Sequence, residues 1–442
     1  MKWARTTGRR PGLCLSGIYD LNIKKAIIDG LIVGVKLVKF FMGLTYLQLK
    51  CIFDESLSPG KPFMNKSMNT QQELMVLHNL EEVGKLTINK EHVCFFEYSP
   101  SWLKNGFSIS PFTLPLSADK FQARALPFNN RFGVFDDCLP DGWSKTILMK
   151  KLFELKINYN QMNILEKLAL TTIDGMGSLS FIPEKKLSFV KFEVELEDIA
   201  KEINNILDGK RNDIDRLAHY SGSLGGIRPK IMYNESDKDK SQWIVKFPGK
   251  HDPVKSGFME FERNVLATKC GLSLPHYRLF NNKFFGSKRF DRSDDGKRIF
   301  MISAAGLLEK DYRDLFWDYD YLFATIKALV KDYKSDSQNL FRQMAFNVIA
   351  PNHDDHGRNF SLLHKDDGWH LSPAYDLIDP GNPGAWRTMA VNGKNEDIND
   401  DDLLITGERW GVNKESALKI LNDIRDTFGS YVCVTLGQRP DL

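Results

Sequence analysis

The chain has 442 residues, of which 42% are hydrophobic and 26% charged, with 60 basic against 57 acidic side chains. This length is enough for two or three domains with cores of their own. The near balance of charge gives no bulk argument for binding nucleic acid. The six cysteines are scattered without a Cys-x-x-Cys pair, so neither a zinc site nor a disulfide framework is indicated, and reduced cytosolic thiols are the default.

Residues 1–72 are an extension to which we assign no function. After a basic start, an apolar run at residues 26–41 is interrupted by Asp29, Lys36 and Lys39. A signal peptide fits poorly because this run comes late, and a membrane span is excluded because central charges are costly. Two interpretations remain: an amphipathic membrane-surface or partner helix, and a misplaced start codon upstream of Met64 or Met68.

Residues 73–185 are predicted to be a strand-rich domain that continues into helix. Short strands are predicted at 83–88 and 93–98 around a turn, and a helix is predicted at 144–153 from the spacing of apolar residues. A further helix is expected within the polar stretch 188–215.

Residues 186–303 are predicted to form a small lobe and residues 304–442 a helical lobe. In the small lobe we expect paired strands at 229–233 and 242–247, a helix at 261–270 ended by Gly271, and a hairpin from 277–280 and 284–291. The helical lobe is interrupted by a polar loop at 351–359 and short strands. This order predicts an α+β, bilobal, protein-kinase-like fold.

The pattern Asp354-x-x-x-x-Asn359, followed by Asp376, is what phosphoryl transfer needs. In a kinase the first Asp orients the attacking hydroxyl, while the Asn and the later Asp hold Mg²⁺ against the phosphates of ATP. Their oxygen atoms suit this hard cation. Seen alone, the segment is more typical of a solvated turn, because Asn, Asp, His and Gly all favour turns. The hypothesis therefore depends on residues elsewhere.

The stretch 221–230 is the expected phosphate-binding loop, since glycines let backbone N–H groups close on phosphate oxygens. Its nucleotide-binding candidates are Ser223, Leu224, Gly225, Gly226 and Lys230. The stretch matches neither common Gly-rich nucleotide motif, and a flexible turn before a strand is the alternative.

Lys246 lies in an apolar strand, where a lysine needs a reason. Kinases place a strand lysine on the ATP phosphates and pair it with a helix Glu. Glu260, just before the next predicted helix, is the first candidate and Glu262 the second. An edge-strand lysine that reaches water is the competing interpretation.

His353 and His356 could form a transition-metal site with the neighbouring aspartates. Their spacing lacks a supporting helix, and Mg²⁺ disfavours imidazole. We instead expect His356 to brace the loop by hydrogen bonds.

With these residues in view, the chain resembles the HipA family of bacterial serine/threonine kinases, the toxins of toxin–antitoxin pairs. The resemblance covers about residues 75–440. Its N-terminal motifs are Val83–Leu86, Tyr98–Trp102, Leu114–Leu116 and Phe135–Trp143. Its kinase motifs are Ser221–Lys230, Ile244–Pro248, Lys288–Arg292, His353–Asn359 and Leu371–Asp376.

The resemblance implies a role at each matching position. Asp354 would be the catalytic base, Asn359 and Asp376 the Mg²⁺ ligands, and Lys246 the residue that holds the ATP phosphates. Ser223 would be autophosphorylated, with Ser221 as a second site, which would silence the kinase. The negative charge of a phosphate there agrees with that effect. The adenine-side linker would fall near Ser303, Ala304 and Ala305, and His356 would belong to the nucleotide site.

The resemblance also implies partners: a cytoplasmic protein substrate of translation, typically an aminoacyl-tRNA synthetase, and a small helix-turn-helix antitoxin through which DNA is met only indirectly. The absence of Asp-Phe-Gly, with Tyr375-Asp376 instead, departs from familiar protein kinases. Two alternatives stay open: a small-molecule kinase, and a non-catalytic binding partner or corepressor of the antitoxin.

Overall fold

The computed structural model describes residues 72–171, 175–185, 195–210, 214–235, 242–377 and 387–437, with side chains up to residue 431. The extension predicted at 1–72 lies outside these ranges, apart from its last residue. The two interpretations of this extension therefore stay predictions. Among the helices that are described, none combines the length and the apolar character that crossing a bilayer would need.

The first strands form a five-stranded antiparallel sheet in the order β4-β3-β2-β1-β5. Leu74 and Val76 alternate with exposed residues along the first strand and enter the core. The first two strands are joined by Asn79 and Leu80, both at positive φ, as a two-residue hairpin turn requires. The strands predicted at 83–88 and 93–98 are confirmed. The five strands are Glu73–His78 (β1), Glu81–Ile88 (β2), Cys94–Tyr98 (β3), Phe121–Gln122 (β4) and Leu179–Ile182 (β5).

The small lobe has a four-stranded antiparallel sheet in the order β6-β7-β9-β8. Both predicted strand pairs are confirmed. The strands are Lys230–Tyr233 (β6), Trp243–Lys246 (β7), Tyr277–Phe280 (β8) and Phe284–Lys288 (β9).

The C-terminal half is mostly helical, as predicted, and contains two small sheets. One is antiparallel, in the order β10-β12-β13, and the other pairs β11 with β14 in parallel. The strands are Phe300–Ser303 (β10), Trp317–Asp318 (β11), Ser361–Lys365 (β12), Gly368–Leu371 (β13) and Met389–Ala390 (β14). The predicted α+β, two-lobed order with a strand-rich N-terminal region is confirmed.

The described helices are Pro100–Asn105 (α1), Gly133–Asp136 (α2), Gly142–Glu154 (α3), Ile164–Leu168 (α4), Leu196–Leu207 (α5), Asp215–Ser221 (α6), Ser256–Lys269 (α7), Ala304–Leu307 (α8), Tyr319–Leu329 (α9), Tyr333–Ile349 (α10), Asp400–Arg409 (α11) and Lys414–Gly437 (α12). The helix predicted at 261–270 begins five residues earlier, at Ser256. Glu260 therefore lies within α7 and not just before it, which corrects that prediction.

Helix α3 belongs by sequence to the strand-rich N-terminal region but packs against the small lobe. Its Trp143 and Ile147 join one hydrophobic cluster with Ile231 and Val245 of the small-lobe sheet. The burial of such large side chains contributes roughly 2 kcal/mol each. The N-terminal region and the small lobe therefore share a core.

Candidate active site

The loop between α10 and β12 carries the residues predicted for catalysis. The Asn359 side-chain amide donates to the backbone carbonyl of Asp354 at 2.7 Å, and its backbone N–H donates to the His356 carbonyl at 2.8 Å. The amide nitrogen of Asn359 is thereby used, so its oxygen is the atom suited to a cation. Half of the Asp354 side chain is exposed, 52% by area, which leaves this carboxylate accessible from solvent.

The loop is braced from behind by a buried network that sequence reasoning did not find. Asp355 accepts hydrogen bonds from the Tyr319 hydroxyl at 2.8 Å and the Met389 N–H at 3.3 Å. Burial raises the pKa of Asp355 to about 6, although the nearby Arg387 acts in the opposite direction. Arg387 also donates to the backbone carbonyls of Asn347 and Asn352. Adjacent aspartates thus differ, with Asp354 open to solvent and Asp355 structural.

Lys246, on β7, lies between two carboxylates from different elements. Its ammonium donates to Glu260 on α7 at 2.5 Å and to Asp376 at 2.7 Å. Burial alone would lower the pKa of Lys246, but Asp376 and Glu260 outweigh burial and hold it well above its ordinary value. We call Lys246, Glu260 and Asp376 the open cluster.

Helix α7 also anchors the segments that lead to the other site residues. Arg263, one turn beyond Glu260, donates to the backbone carbonyls of Ala350, at the end of α10, and of Leu377, next to Asp376. One helix therefore fixes the small-lobe lysine and both C-terminal segments.

Asp376 stays ionised although it is partly buried. Burial would raise its pKa, but Lys246 and Lys230 hold that pKa well below the usual range. Its φ of 54° is a left-handed conformation that Asp tolerates better than most residues. The pKa of His356 is lowered by burial, against opposing effects of Asp354 and Asp376. His356 Nε2 lies 3.8 Å from the Asp354 carboxylate.

The predicted phosphate loop folds onto Lys230. This lysine pairs with Lys246 across β6 and β7, and its ammonium donates to the Gly225 carbonyl at 2.7 Å. Burial, and then Lys246, lower the pKa of Lys230 to about 8. A Cβ at Gly226, which has a φ of 94°, would lie 2.4 Å from the Lys230 nitrogen. The lysine end could shift, but the positive φ would strain any residue that carries a Cβ.

Helix α3 holds the same loop from the other side. The backbone N–H of Trp143 donates to the Gly226 carbonyl, and the Ser144 hydroxyl donates to the Ser221 carbonyl, each at 3.0 Å. A Cβ at Gly142 would lie 2.2 Å from the Gly226 oxygen. Helix α3 thus acts as a clamp on the loop.

The two candidate phosphorylation serines are buried in this arrangement. Ser221 is 1% exposed, Ser223 4% and Leu224 1%. The Ser221 hydroxyl has no hydrogen-bond partner among the described residues. Neither hydroxyl can meet a phosphate donor until the loop leaves its place.

The three residues expected to face adenine are also buried. The backbone N–H of Ser303 donates to the Asp137 carboxylate, that of Ala304 to the Phe360 carbonyl and that of Ala305 to the Gly357 carbonyl. These donors are engaged within the protein here, and an adenine contact at these positions stays a prediction.

Arg358, in the loop between α10 and β12, forms hydrogen bonds with the strand-rich domain. Its guanidinium donates to Asp141 at 2.8 Å and to Asp136 at 3.2 Å, residues more than 200 positions away. Sequence reasoning missed these pairs. The repeated acidic residues of 136–141 were the only signal for them.

The arrangement brings Lys246, Glu260, Asp376 and Lys230 together and connects His356 to Asp354 and Asp376. Among the residues that the structure describes, no group of three or more His, Cys, Asp or Glu could hold a metal ion. Asn359 and ionised Asp376 offer oxygen donors that fit Mg²⁺, which commonly takes few protein ligands beside water and phosphate.

Two family models match the chain. One, described as HipA N-terminal domain, matches residues 74–182, and the other, described as HipA-like C-terminal domain, matches residues 222–431. No curated protein sequence matches the chain.

Solved structures resemble the fold. A chain from the complex of the Shewanella oneidensis MR-1 toxin–antitoxin proteins HipA and HipB with operator DNA has a TM-score of 0.63 at 18% identity, covering 84% of this chain and 92% of that one. The Helicobacter pylori proinflammatory kinase CtkA has a TM-score of 0.33 at 15% identity, covering 47% of this chain and 87% of that one. With both of its domains matched by family models, the chain belongs to the HipA family.

Proposed function

We propose that the chain is an ATP- and Mg²⁺-dependent protein serine/threonine kinase. The observation that carries this proposal is the open cluster, in which the strand lysine Lys246 bridges the helix carboxylate Glu260 and the loop carboxylate Asp376. A lysine paired with a helix Glu in the small lobe, facing an Asp from the helical lobe, is the arrangement that positions ATP phosphates in kinases.

Asp354 is the proposed base. Its accessible carboxylate would orient a substrate hydroxyl and take its proton as the oxygen attacks the γ-phosphorus. His356 Nε2, 3.8 Å from the Asp354 carboxylate, would help to hold that side chain in place. Lys246 and Lys230 would bind phosphate oxygens, with the glycines and Ser223 of the loop above them.

Asn359 and Asp376 would hold Mg²⁺. The ion would neutralise charge on the phosphates of ATP. Lys246 supplies the positive charge beside Asp376, and nucleotide binding would let this lysine turn to the phosphates.

We further propose autophosphorylation at Ser223, with Ser221 as a second site. Because both serines are buried, the loop has to release its bonds to α3 first. A phosphate adds nearly two negative charges where the phosphates of ATP would have to lie, and these would oppose return of the loop and so silence the enzyme.

The family supports a toxin role with a helix-turn-helix antitoxin as partner, since the similar Shewanella oneidensis protein is named with HipB and operator DNA. DNA would be met through that antitoxin. The proposed substrate is a cytoplasmic translation protein such as an aminoacyl-tRNA synthetase.

Incubation of the purified chain with labelled ATP and Mg²⁺ tests the proposal. We expect label on Ser223, located by mass spectrometry, and a loss of about 10³-fold in Asp354→Asn. Asp366→Asn is the matched control, since Asp366 is 93% exposed on the β12–β13 turn, and it should label normally.

Two results would redirect the proposal. If the wild-type chain transfers no phosphate yet binds its antitoxin, the non-catalytic partner is correct. If label passes to a metabolite and never to protein, the chain is a small-molecule kinase.

A further inference from the structure

A polar cavity of about 400 Å³ lies between the strand-rich domain and the helical lobe, beside the catalytic loop and outside the open cluster. Its walls come mainly from residues 88–167, with Arg313 and Arg358 added by the helical lobe. This volume is in the range of small-molecule sites.

The lining of the cavity is strongly basic. Arg131, Lys145, Lys167, Arg313 and Arg358 face only two acidic residues, Asp136 and Asp141. The surplus is three positive charges, as large as the net charge of +3 for the entire chain. A surplus of one sign within a recess concentrates ions of the opposite sign.

The two acidic residues are already committed to arginines. Asp136 accepts two bonds from Arg131, at 2.7 and 3.0 Å, and one from Arg358, while Asp141 accepts from Arg358 at 2.8 Å. The remaining positive charge therefore belongs to the two lysines and Arg313.

Lys145 and Lys167 approach the same aromatic ring. Their ammonium groups lie 5.9 and 4.9 Å from the centroid of one ring, that of Tyr159, and neither lysine forms an ion pair with any described residue. Burial, and then Arg131 and Lys145, lower the pKa of Lys167. Two like charges held together in a recess are relieved by a multiply charged anion.

We propose that this cavity binds a phosphate monoester. A phosphate monoester carries nearly two negative charges and several acceptor oxygens, which suits a surplus of three better than a single carboxylate does. Lysines bind phosphate as point charges and arginines as planar forks. The group could arrive on a free small molecule or on a phosphorylated side chain.

Binding there would reach the catalytic loop through Arg358. This side chain lines the cavity, and it lies four residues after Asp354. An anion that draws Arg358 from Asp136 or Asp141 would change how the loop is tied to the strand-rich domain. The inference itself does not depend on phosphotransfer, because binding alone tests it.

Calorimetric titration of the full chain with inorganic phosphate and with O-phosphoserine tests the site. We expect binding that is about ten-fold weaker or more in Lys145→Ala/Lys167→Ala. Lys150→Ala, an exposed lysine on the same helix as Lys145, is the charge-matched control and should bind like wild type. Phosphate held at the nucleotide site would not respond to either change.

Two further measurements make the test decisive. Without phosphate the double variant should melt no lower than wild type, since a repulsion has been removed; if it fails to fold, Lys167→Gln alone carries the same expectation. A phosphoserine peptide that binds while its unphosphorylated form does not indicates a side-chain source, and binding of the free monoester alone indicates a small molecule. No binding to wild type, or equal binding to the double variant, overturns the proposal.

Discussion

Two ion clusters within the described part of the chain have opposite charge patterns. In the open cluster, one lysine lies between two carboxylates, Glu260 and Asp376. In a second cluster, which we call the closed cluster, one carboxylate, Asp291, lies between Arg289 and Arg292. The Asp376 side chain is 37% exposed, whereas no side chain of the closed cluster exceeds 6%.

The closed cluster is also satisfied on every side. Its arginines donate to the carbonyls of Gly175 and Gly177, and Asp291 accepts a bond from the Gly177 N–H. Each cluster carries one uncompensated formal charge, negative in the open cluster and positive in the closed one, but of the two it is the open cluster that has a route to solvent. Buried charge that is fully hydrogen-bonded fixes structure, while negative charge at an opening is suited to binding a cation with its ligand.

The largest expected effect is on the closed cluster. Asp291→Asn leaves two buried arginines without their shared counter-ion, so we expect a loss of about 3–5 kcal/mol in the free energy of unfolding. Urea denaturation measures it. Asp294→Asn is the control, because Asp294 is 94% exposed, and it should cost almost nothing. Equal values for the two variants would remove the structural role of the closed cluster.

In the open cluster the same substitution should act on function. Asp376→Asn keeps Lys246 paired with Glu260, and Asn tolerates the left-handed backbone at this position. We expect phosphotransfer to fall about 10³-fold while unfolding loses only about 1–2 kcal/mol. Labelled ATP and urea denaturation give the two values. A loss of stability as large as that of Asp291→Asn would erase the distinction between the clusters.

At acid pH the unfolding free energies of the Asp291→Asn variant and the wild type should become similar. The two arginines outweigh burial and lower the pKa of Asp291 to about 2 in the folded protein. A lowered carboxyl pKa stabilises the fold above the unfolded value, near 4, and this stability disappears as pH falls toward 2. The difference in unfolding free energy between wild type and Asp291→Asn should therefore shrink by about 2 kcal/mol. A constant gap from pH 5 to pH 2 contradicts this assignment.

The smallest effect concerns Lys230 beside the open cluster. With a pKa of about 8, its charge is present at pH 7 and mostly lost at pH 9. We expect ATP affinity to weaken by less than about ten-fold over this interval, because phosphate binding itself favours the charged lysine. The Lys230→Met variant should bind ATP more weakly than wild type at both pH 7 and pH 9, and its affinity should not change between them. Fluorescence titration with a nucleotide analogue measures it, and an unchanged step in the variant would assign the titration to another group.

Sequence patterns predicted the strands, the helical lobe and the order of the motifs, because each depends on neighbouring residues. The start of α7 was wrong for a physical reason. Gly257 looks like a helix breaker, yet a Cβ there would lie 2.2 Å from the Lys283 carbonyl, so glycine is required for the helix to pack closely. Glycine is needed at this position because of a contact with a distant segment, and such a contact cannot be predicted from local periodicity.

Some residues of the candidate site could likewise be predicted from the sequence, and others could not. Lys246 was marked by its apolar strand, Glu260 by its place next to a predicted helix and Asp376 by its order after Asp354 and Asn359, and the structure brings their charged atoms together. Arg358, Arg387 and Asp355 could not be assigned from sequence. Their partners are backbone carbonyls and carboxylates from other segments, and no spacing rule connects residue 358 with residues 136 and 141.

The close contact of Gly142 and the hydrogen bond of Trp143 with the Gly226 carbonyl determine which shorter versions of the chain could fold. A fragment that starts after residue 185 would keep every proposed catalytic side chain but lose the helix that seats the glycine-rich segment. It would also leave Ile231 and Val245 uncovered by Trp143 and Ile147. Such a truncation should yield an aggregating, inert product, so helix α3 is as necessary to the proposed catalytic site as the segments that carry its side chains.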